Sequence, residues 1–368
     1  MKHWRDWRND LLANPRFQAF AARFFLTRGI TRKRAAQVFD LCAGFVYSQV
    51  LQACVTSGLF DFLRQGPRDL HDIAHMLKLE DEPALRLLRA AVAIGLLEKR
   101  GAHSFGLGQH GAALLGNAGA LAMVEHHHLL YADLADPLAL LRGETFPTRL
   151  QQFWAYARNP DRAEAGESAV APYSKLMSDS QTLVRRDILD ALDLGDVSRL
   201  VDIGGGEGAF AAEAATRWPK LAVGVFDLPA VAARADVRFA SLGLAERARG
   251  HGGDFYADAL PAGADVYSLV RVLHDHDDDK AKLLLAKIYA ALPPRGRLII
   301  AEPMAGTPGA EAMGDAYFGL YLFAMGSGRP RPASEIEGMA KAAGFAATRR
   351  IPTPRPLLVS MIECLKIA

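Results

Sequence analysis

The sequence predicts an α/β protein in which a C-terminal domain built on a largely parallel sheet follows a helical N-terminal region. From Arg199 onward, short apolar runs alternate with amphipathic helical stretches, a pattern typical of a parallel sheet covered by helices on both faces. Before that point, helical periodicity dominates and is interrupted by a short β-like segment. At 368 residues, the chain is long enough for two domains with separate cores.

The N-terminal arm, residues 1–35, is basic and aromatic. Residues 1–36 contain nine lysines and arginines against two aspartates, whereas the formal net charge of the whole chain is only +2. Such a segment can lie on an anionic membrane surface, or it can pack on the protein with its arginines in solvent. We favour packing and keep peripheral membrane contact as the alternative. The aromatic residues between the charges are Trp4, Trp7, Phe17, Phe20, Phe24 and Phe25.

Residues 36–118 predict a winged-helix domain. Apolar residues recur at helical spacing between Val38 and Val55, and Asp69 is placed to cap a short helix. A further helix is expected near 83–94, followed by a β-like wing that ends about Leu107.

DNA binding has to be weighed for such a domain. Its recognition helix would offer only Arg86 and Arg89, directly after the acidic residues 80–82, and neutralising DNA phosphates needs several cations on one face. We therefore expect no nucleic-acid partner and interpret the domain as a dimerisation or packing module.

The composition favours a cytoplasmic protein. We find no secretory signal, and Cys42, Cys54 and Cys364 form neither a close pair nor a metal-ligand spacing, which suits a reducing compartment. Residues 41–60 carry no charge, but polar residues dilute the stretch. We interpret it as a helix buried against a partner rather than as a membrane span.

The remaining chain divides into a helical bridge and a cofactor-binding domain. Residues 119–195 predict helices that contribute to a substrate pocket, and residues 196–368 predict the alternating domain. Apolar runs predict strands at 199–203, 221–226, 264–270 and 297–301. Amphipathic helices are expected at about 208–217, 229–242, 277–291 and 334–343.

A glycine-rich turn, VDIGGGEG, follows the first of these strands. Gly204 and Gly206 allow a ligand to approach the backbone closely. Together with Ala209 they also satisfy the looser dinucleotide fingerprint, so a nicotinamide enzyme competes at this point. Asp202, at the end of the strand before the glycines, favours S-adenosylmethionine, because a carboxylate accepts hydrogen bonds from a cationic amino group and repels a pyrophosphate.

Acidic residues also follow the next strands. Asp227 could accept from both ribose hydroxyls of either cofactor, and Asp254 with Phe255 places an acceptor and an aromatic ring beside an adenine. Each aspartate could instead cap a turn. Their placement at successive strand ends nevertheless favours a ligand-binding edge of the sheet.

The stretch from Leu200 to Glu302 resembles the small-molecule O-methyltransferases of the caffeic acid and acetylserotonin type, through the motifs VDIGGGEG, FDLP, GDF and VLHDHDDD in that order. The resemblance covers nearly the whole chain. It implies a class I S-adenosylmethionine-dependent methyltransferase domain, Rossmann-like with a mostly parallel seven-stranded sheet, and an N-terminal winged-helix domain that forms a homodimer. Within this family the chain is most similar to bacterial hydroxyneurosporene (demethylspheroidene) O-methyltransferases, which implies an acyclic carotenoid with a tertiary hydroxyl as the methyl acceptor.

The resemblance assigns roles to individual residues. His274 falls on the catalytic histidine of the family, and Glu302 falls on a carboxylate that orients it. Tyr173 and Met177 match a helix that closes over the cofactor. The complete set that we expect to bind S-adenosylmethionine is Asp202, Gly204, Gly206, Asp227, Leu228, Asp254, Phe255, Tyr173, Met177 and Arg271.

Two positions depart from the family pattern. The tryptophan that follows the His-Asp pair is His276 here, and a second orienting glutamate falls on Pro330. These departures bear on how the base is held and leave the cofactor assignment unaffected.

The chemistry predicts a general base with modest strength. A neutral imidazole with a pKa near 6.5 can take a proton at cytosolic pH, and a tertiary alcohol is far less acidic than a phenol. We therefore expect the proton to move to His274 as the C–O bond forms, with Glu302 stabilising the imidazolium. A packed histidine at a strand end is the structural alternative.

Two further groups of residues invite a functional interpretation. An apolar stretch could line a tunnel for a carotenoid or could be ordinary core; its members are Phe318, Leu320, Tyr321, Leu322, Phe323 and Met325. The run His126-His127-His128 invites a metal site, but adjacent helical residues point in different directions. We predict no metal and expect one of these histidines to lie at the substrate pocket.

Other functions stay open at this point. The enzyme could methylate a phenolic or polyketide hydroxyl, or a carbon of a tetrapyrrole. A winged-helix regulator that keeps a cofactor fold as a sensor is the alternative outside enzymology.

Overall fold

The structure is a computed structural model that describes residues 3–158 and 181–367. The chain divides into two compact units, Met1–Asn117 and Ala118–Ala368. Each unit is described by itself.

The first unit contains seven helices and a small antiparallel sheet of order β1-β3-β2 within its described residues. Asn14 starts the second helix, since its side chain accepts from the amides of Arg16 and Phe17. The elements are α1 (Trp4–Ala13), α2 (Pro15–Arg23), α3 (Arg28–Thr56), α4 (Leu59–Phe62), β1 (Arg68–Asp69), α5 (Leu70–Leu77), α6 (Asp81–Ala93), β2 (Leu97–Lys99), β3 (Ser104–Leu107) and α7 (Gln109–Leu115).

The β2–β3 hairpin is the predicted wing, and α5 and α6 are the predicted helices before it. Leu97 pairs with Leu107, and Lys99 pairs with Phe105. Asp69 occupies the N-cap position of α5, but its side chain accepts no capping hydrogen bond. The predicted N-cap position is thus confirmed, and the same residue pairs with Ser104 in the sheet.

The long helix α3 carries much exposed apolar surface. Among the described residues it is the one helix long and apolar enough to cross a membrane by length and composition, and core helices of soluble proteins pass the same criterion. Its burial against a partner stays a prediction. The exposed apolar side chains on it include Val38, Phe39, Leu41, Phe45 and Val46.

The second unit begins with helices and continues as an alternating α/β domain. The initial elements are α8 (Ala118–Asp133), α9 (Pro137–Leu141), α10 (Arg149–Arg158) and α11 (Thr182–Ala191). The elements of the alternating domain are β4 (Arg199–Ile203), α12 (Ala209–Arg217), β5 (Ala222–Asp227), α13 (Pro229–Ser241), β6 (Ala248–Gly252), β7 (Val266–Val270), α14 (Asp278–Ala291), β8 (Arg297–Glu302), α15 (Gly319–Met325), α16 (Ala333–Ala342), β9 (Ala347–Ile351) and β10 (Ser360–Leu365). A 3₁₀ turn spans Leu273–Asp275, and a π-helical segment, Ala312–Phe318, leads into α15.

Seven strands form one sheet in the order β6-β5-β4-β7-β8-β10-β9. The neighbouring pairs from β6 to β8 are parallel, and β10 is antiparallel to both of its neighbours. The predicted mostly parallel seven-stranded sheet is thus confirmed. The chain leaves β4 in one direction toward β5 and β6 and later returns on its other side at β7, which creates a crevice at the carboxyl ends of these strands.

Apolar side chains fill both faces of this sheet. One cluster packs α11, α12 and α13 on one face, and a second packs α14 and α16 on the other. Because central parallel strands are buried on both faces, β7 reads as a continuous buried run. A third cluster joins α8, α9 and α15.

Candidate active site

A cavity of about 390 Å³ lies at the carboxyl ends of β4, β5 and β7, within the second unit. Its wall brings together most of the predicted site residues, and His274 also faces it. Tyr173 and Met177 fall outside the residues that the structure describes. The predicted cofactor residues that line the cavity are Asp202, Gly204, Gly206, Asp227, Leu228, Asp254, Phe255 and Arg271.

The glycine turn needs backbone conformations that other residues rarely adopt. The φ angles of Gly204 and Gly206 are +68° and +58°. A Cβ on Gly204 would meet Val272 at 2.9 Å, whereas a Cβ on Gly206 would meet no protein atom within 4 Å. Gly206 therefore leaves space that faces the cavity rather than the protein core.

Asp202 is a buried carboxylate at the floor of this cavity. Its Oδ1 accepts a hydrogen bond of 2.6 Å from the hydroxyl of Ser268, which pairs with it across β4 and β7. Burial raises the pKa of Asp202 to about 7, the bond from Ser268 lowers it, and the charge of Asp227 adds to the rise. A ligand that brings a positive charge here would remove the cost of ionising this group.

Asp227 ties the glycine turn to the end of β5. Its Oδ2 accepts from the Gly206 amide at 2.8 Å, and its Oδ1 accepts from the Leu228 amide at 2.8 Å. Burial raises the pKa of Asp227, while these two bonds and Arg234 lower it. Each carboxylate oxygen keeps a second lone pair with which it can accept from a ligand hydroxyl.

Asp254 and Phe255 form the wall after β6. The Asp254 carboxylate accepts from the Tyr256 amide at 2.7 Å, which folds a tight local turn. The ring of Phe255 contacts Tyr256 and His276 edge to face, with centroids 4.7 and 5.6 Å apart. His276, which replaces the tryptophan of the family pattern, thus takes part in an aromatic wall of the cavity.

These groups fit S-adenosylmethionine. The buried Asp202 suits a cationic amino group, Asp227 suits ribose hydroxyls, and the Phe255 wall suits an adenine ring. The open space at Gly206 permits close approach of the backbone.

His274 lies in the 3₁₀ turn after β7, four residues beyond the strand end. Its amide donates to Glu302 Oε2 at 3.0 Å, and its Nδ1 lies 3.7 Å from the same oxygen. Its Nε2 lies 3.2 Å from Asp275 Oδ1. Sequence reasoning missed Asp275, although its position beside the histidine was a usable signal.

Glu302 is fully buried at the end of β8, behind the histidine. Burial raises the pKa of Glu302, whereas His274 and Arg331 lower it. Neither Glu302 Oε1 nor His274 Nδ1 has a hydrogen-bond partner among the described residues. The imidazole and the carboxylate therefore face each other just beyond hydrogen-bonding distance.

A helical wall closes the cavity opposite the sheet. Phe318, Tyr321, Leu322 and Met325 line it, which is the helical repeat of one face. Most of these side chains also belong to the cluster of α8, α9 and α15. One face of the helix is thus at once cavity wall and core, and a tunnel for a carotenoid stays a prediction. Phe323 is instead 38% exposed.

A buried polar network holds this wall. Tyr321 Oη accepts from Trp154 Nε1 at 3.1 Å and lies 3.0 Å from His126 Nε2. Burial, with the neighbouring His127 and His128, lowers the pKa of His126 to about 4, so this imidazole is neutral. Sequence reasoning missed the network because its members are far apart in the chain.

The histidine run divides between two environments. His127 Nε2 lies 2.8 Å from Tyr317 Oη, and the exposed His128 bonds the Glu125 carbonyl through Nδ1. Within the described ranges, no group of three or more His, Cys, Asp or Glu residues is placed to hold a metal ion. The absence of a metal stays a prediction.

Arg271 combines an unusual backbone with a position in the wall. Its φ angle is +56°, and its amide donates to Ala301 at 2.8 Å. Its guanidinium lies 5.8 Å from the ring centroid of Phe318. Of the non-glycine residues with positive φ in the described chain, Lys78, Arg271 and Arg295, only Arg271 lines the cavity.

Comparison with known proteins identifies the family. Residues 131–346 match the O-methyltransferase domain, and residues 39–117 match the O-methyltransferase dimerisation domain. The chain belongs to this O-methyltransferase family. Its sequence is 42% identical to demethylspheroidene O-methyltransferase of Cereibacter sphaeroides over 97% of this chain and 93% of that protein. It is 41% identical to the protein of the same name in Rhodobacter capsulatus, over 95% and 87% of the two chains.

A solved structure supports the same fold. Human N-acetylserotonin methyltransferase in complex with S-adenosylmethionine superposes with a TM-score of 0.74 and 24% identity, over 91% of this chain and 98% of that one. The family assignment confirms the predicted resemblance and the enzyme class, an S-adenosylmethionine-dependent O-methyltransferase. The nicotinamide enzyme and the winged-helix regulator are not supported, and the N-terminal unit carries a dimerisation domain.

Proposed function

We propose that this O-methyltransferase methylates the tertiary hydroxyl of an acyclic carotenoid of the hydroxyneurosporene or demethylspheroidene type. The observation that carries the proposal is the identity of 42% and 41%, over almost the full chain, to two proteins named demethylspheroidene O-methyltransferase. The apolar wall of Phe318, Leu322 and Met325 supports it, since an aliphatic substrate gains binding energy from such contacts.

Each lining residue has a role in this proposal. Asp202 accepts from the amino group of S-adenosylmethionine, and Asp227 accepts from its ribose hydroxyls. Asp254 and Phe255 hold the adenine, while the turn at Gly204 and Gly206 lets the backbone approach. Leu228 and Arg271 complete the contacts from the ends of β5 and β7. When bound, S-adenosylmethionine supplies an electrophilic methyl group on a sulfonium.

His274 takes the proton of the substrate hydroxyl in this proposal. A tertiary alcohol is not ionised at cytosolic pH, so the proton leaves as the oxygen is alkylated. The buried Glu302, 3.7 Å from Nδ1, stabilises the imidazolium that forms. Nε2 takes the proton, and Asp275, 3.2 Å from Nε2, accepts a hydrogen bond from the N–H that forms.

The proposed function is tested by turnover and product analysis. The purified protein is incubated with S-adenosylmethionine and either a hydroxylated acyclic carotenoid, a phenol, a polyketide or a tetrapyrrole. Mass spectrometry identifies which compound gains one methyl group. We expect an O-methyl carotenoid, and methylation of the phenol, polyketide or tetrapyrrole without any methylation of the carotenoid would contradict the proposal.

We also propose that the protein is a cytoplasmic homodimer whose arm contacts an anionic membrane, where so apolar a substrate dissolves. The dimerisation domain supports the dimer. Trp4, Trp7 and Phe25 are 62%, 65% and 68% exposed, which is at odds with an arm packed on its own protein. They lie among the nine basic residues of 1–36, so the charge complements anionic lipid.

Sedimentation with vesicles tests the membrane contact. We expect binding to vesicles of phosphatidylglycerol and phosphatidylcholine, weaker binding to phosphatidylcholine alone, and loss of binding in the double variant W4S/W7S. Equal recovery of both proteins in the supernatant would contradict membrane contact. Dissociation of the W4S/W7S dimer in analytical ultracentrifugation would show instead that a second copy covers these rings.

A further inference from the structure

The turn that carries His274 is held from outside by one segment, Ser327–Arg331. This segment follows α15 and contains Pro330, where the family pattern has a second orienting glutamate. A single 3₁₀ turn satisfies few of its own carbonyls, so the donors that complete it decide where the imidazole points.

Arg331 is the central donor. Its side chain is fully buried, and its Nη1 and Nη2 donate to the carbonyls of Leu273 at 3.0 Å and His276 at 2.7 Å. Its Nε and Nη2 also donate to Asp278 Oδ1, at 3.1 and 2.8 Å. One planar guanidinium thus joins both ends of the turn to a counter-ion, which the single nitrogen of a lysine cannot do.

The rest of the segment bonds the two middle carbonyls. The Arg329 amide donates to the His274 carbonyl at 2.9 Å, and the Ser327 hydroxyl donates to the Asp275 carbonyl at 2.9 Å. Gly328 permits this approach, because a Cβ there would lie 2.1 Å from the His274 carbonyl oxygen. Four consecutive carbonyls, 273–276, therefore each accept a hydrogen bond from this segment.

The same arginine is linked to the other partner of the histidine. The Arg331 carbonyl accepts from the Ala305 amide at 3.1 Å, which fixes it to the chain that follows Glu302. The positive charge of Arg331 also lowers the pKa of Glu302 against the effect of burial. The side chain of Arg331 thus bonds the turn that carries His274, its charge acts on Glu302, and its main-chain carbonyl binds the segment after Glu302.

We propose that Arg331 is a positioning residue for the methyl transfer, which holds the His274 imidazole against Glu302 through hydrogen bonds to the main chain of the turn. In this chain, a main-chain clamp from 327–331 replaces orientation by a second carboxylate. The inference rests on the proposed role of His274 as the base.

The test uses Arg331→Lys and Arg331→Met, with Ser327→Ala as a milder variant that loses one of the four carbonyl bonds. We expect R331K and R331M to bind S-adenosylmethionine normally and to lose roughly 10- to 100-fold in kcat, with little change in KM, because small misplacement of a catalytic group is costly. The acidic limb of the pH profile of kcat, which reports protonation of the base, should shift as well. The S327A variant should lose less of its kcat than R331M. If R331M does not fold, S327A still tests whether the bonds to the turn position His274.

Arg355→Met is the matched control. Arg355 also forms a two-point ion pair with a buried carboxylate, that of Asp187, and it contacts neither the turn nor the cavity. The Arg355→Met substitution should lower thermal stability and leave kcat per folded molecule unchanged. A purely structural Arg331 would behave in the same way.

Amide hydrogen exchange separates this proposal from the identity of the substrate. The His274 amide donates to Glu302, so its exchange reports the turn directly. We expect faster exchange over 273–278 in R331K and S327A and not in R355M. Unchanged exchange together with wild-type kcat and pH profile in R331K and S327A would overturn the clamp. A wild-type enzyme without activity on hydroxylated carotenoids contradicts the proposed function, while the exchange result still decides the role of Arg331.

Discussion

Replacing Asp202 with asparagine should weaken cofactor binding and stabilise the protein without cofactor. The carboxylate is buried, and its pKa is raised to about 7 from an ordinary value of 3.8. Carrying this ionised group in the folded protein at pH 8 thus costs about 4 kcal/mol relative to the unfolded chain. An asparagine keeps the acceptor for Ser268 and carries no charge, so the D202N protein should melt several degrees higher at pH 8.

The same change removes the partner of the cationic amino group. A hydrogen bond to a charged group contributes about 1.5–3 kcal/mol, so the Kd of S-adenosylmethionine should rise roughly 10- to 150-fold. Isothermal titration calorimetry measures this difference. The stability that protonated Asp202 confers is present below about pH 4 and is lost as the pH rises through 7, because the pKa is higher in the folded state than in the unfolded state.

Affinity for the cationic cofactor depends on pH in the opposite direction to stability: it rises as the pH rises through 7. Binding requires the ionised carboxylate, so the wild-type affinity should fall roughly eightfold between pH 7.5 and 6, and D202N should lack this dependence. Ser268→Ala is the matched control, since losing the bond that lowers the pKa should move the midpoint upward. Equal affinity and equal pH dependence in wild type and D202N would refute the reasoning.

Three further variants test the remaining parts of the site. His274→Ala should lower kcat by about 10²–10⁴ and leave the Kd of the cofactor unchanged, which single-turnover kinetics and calorimetry measure. Gly206→Ala should weaken cofactor binding at least tenfold, because its methyl group enters space that no protein atom fills. Tyr321→Phe should lower the free energy of unfolding by about 1–3 kcal/mol in urea titrations, because Trp154 and His126 lose a buried partner.

A control variant tests the prediction about affinity in Gly206→Ala, and specific results would contradict the other two predictions. Gly243 has a similar φ angle of +69°, equally open surroundings and no place in the cavity wall. Gly243→Ala should therefore cost similar stability and no affinity. Full turnover in H274A would exclude the histidine as the base. An unchanged unfolding free energy in Y321F would mean that the polar network does not stabilise the helical wall.

The sequence predicted the centre of the sheet well and its edges poorly. The strand predicted at 199–203 is Arg199–Ile203, because a central parallel strand is a continuous apolar run. The strand Ala248–Gly252 escaped prediction, since this edge strand contains Arg249, His251 and two glycines rather than an apolar run. Ala347–Ile351 is likewise an edge strand with exposed side chains.

The site could be predicted as far as it follows strand ends. Asp202 and Asp227 come together because parallel strands place their carboxyl ends at one edge. The bond between His126 and Tyr321 could not be predicted, because 195 residues separate them and neither the histidine run nor the apolar stretch shows which residue it packs against. The proposed clamp by Arg331 could not be predicted either, because it depends on how the segment 327–331 packs against the turn at 273–276.

The cavity is built from two walls that come from different parts of the chain. Strand ends and their loops supply the wall with Asp202, Asp227 and Phe255, whereas the π-helical segment and α15 supply the wall with Phe318 and Leu322. Mutations in the helical wall can therefore accumulate while the methyl donor is still held. Evolution can explore new acceptors at little risk to catalysis, and directed evolution of this enzyme should randomise the helix and leave the strand ends untouched.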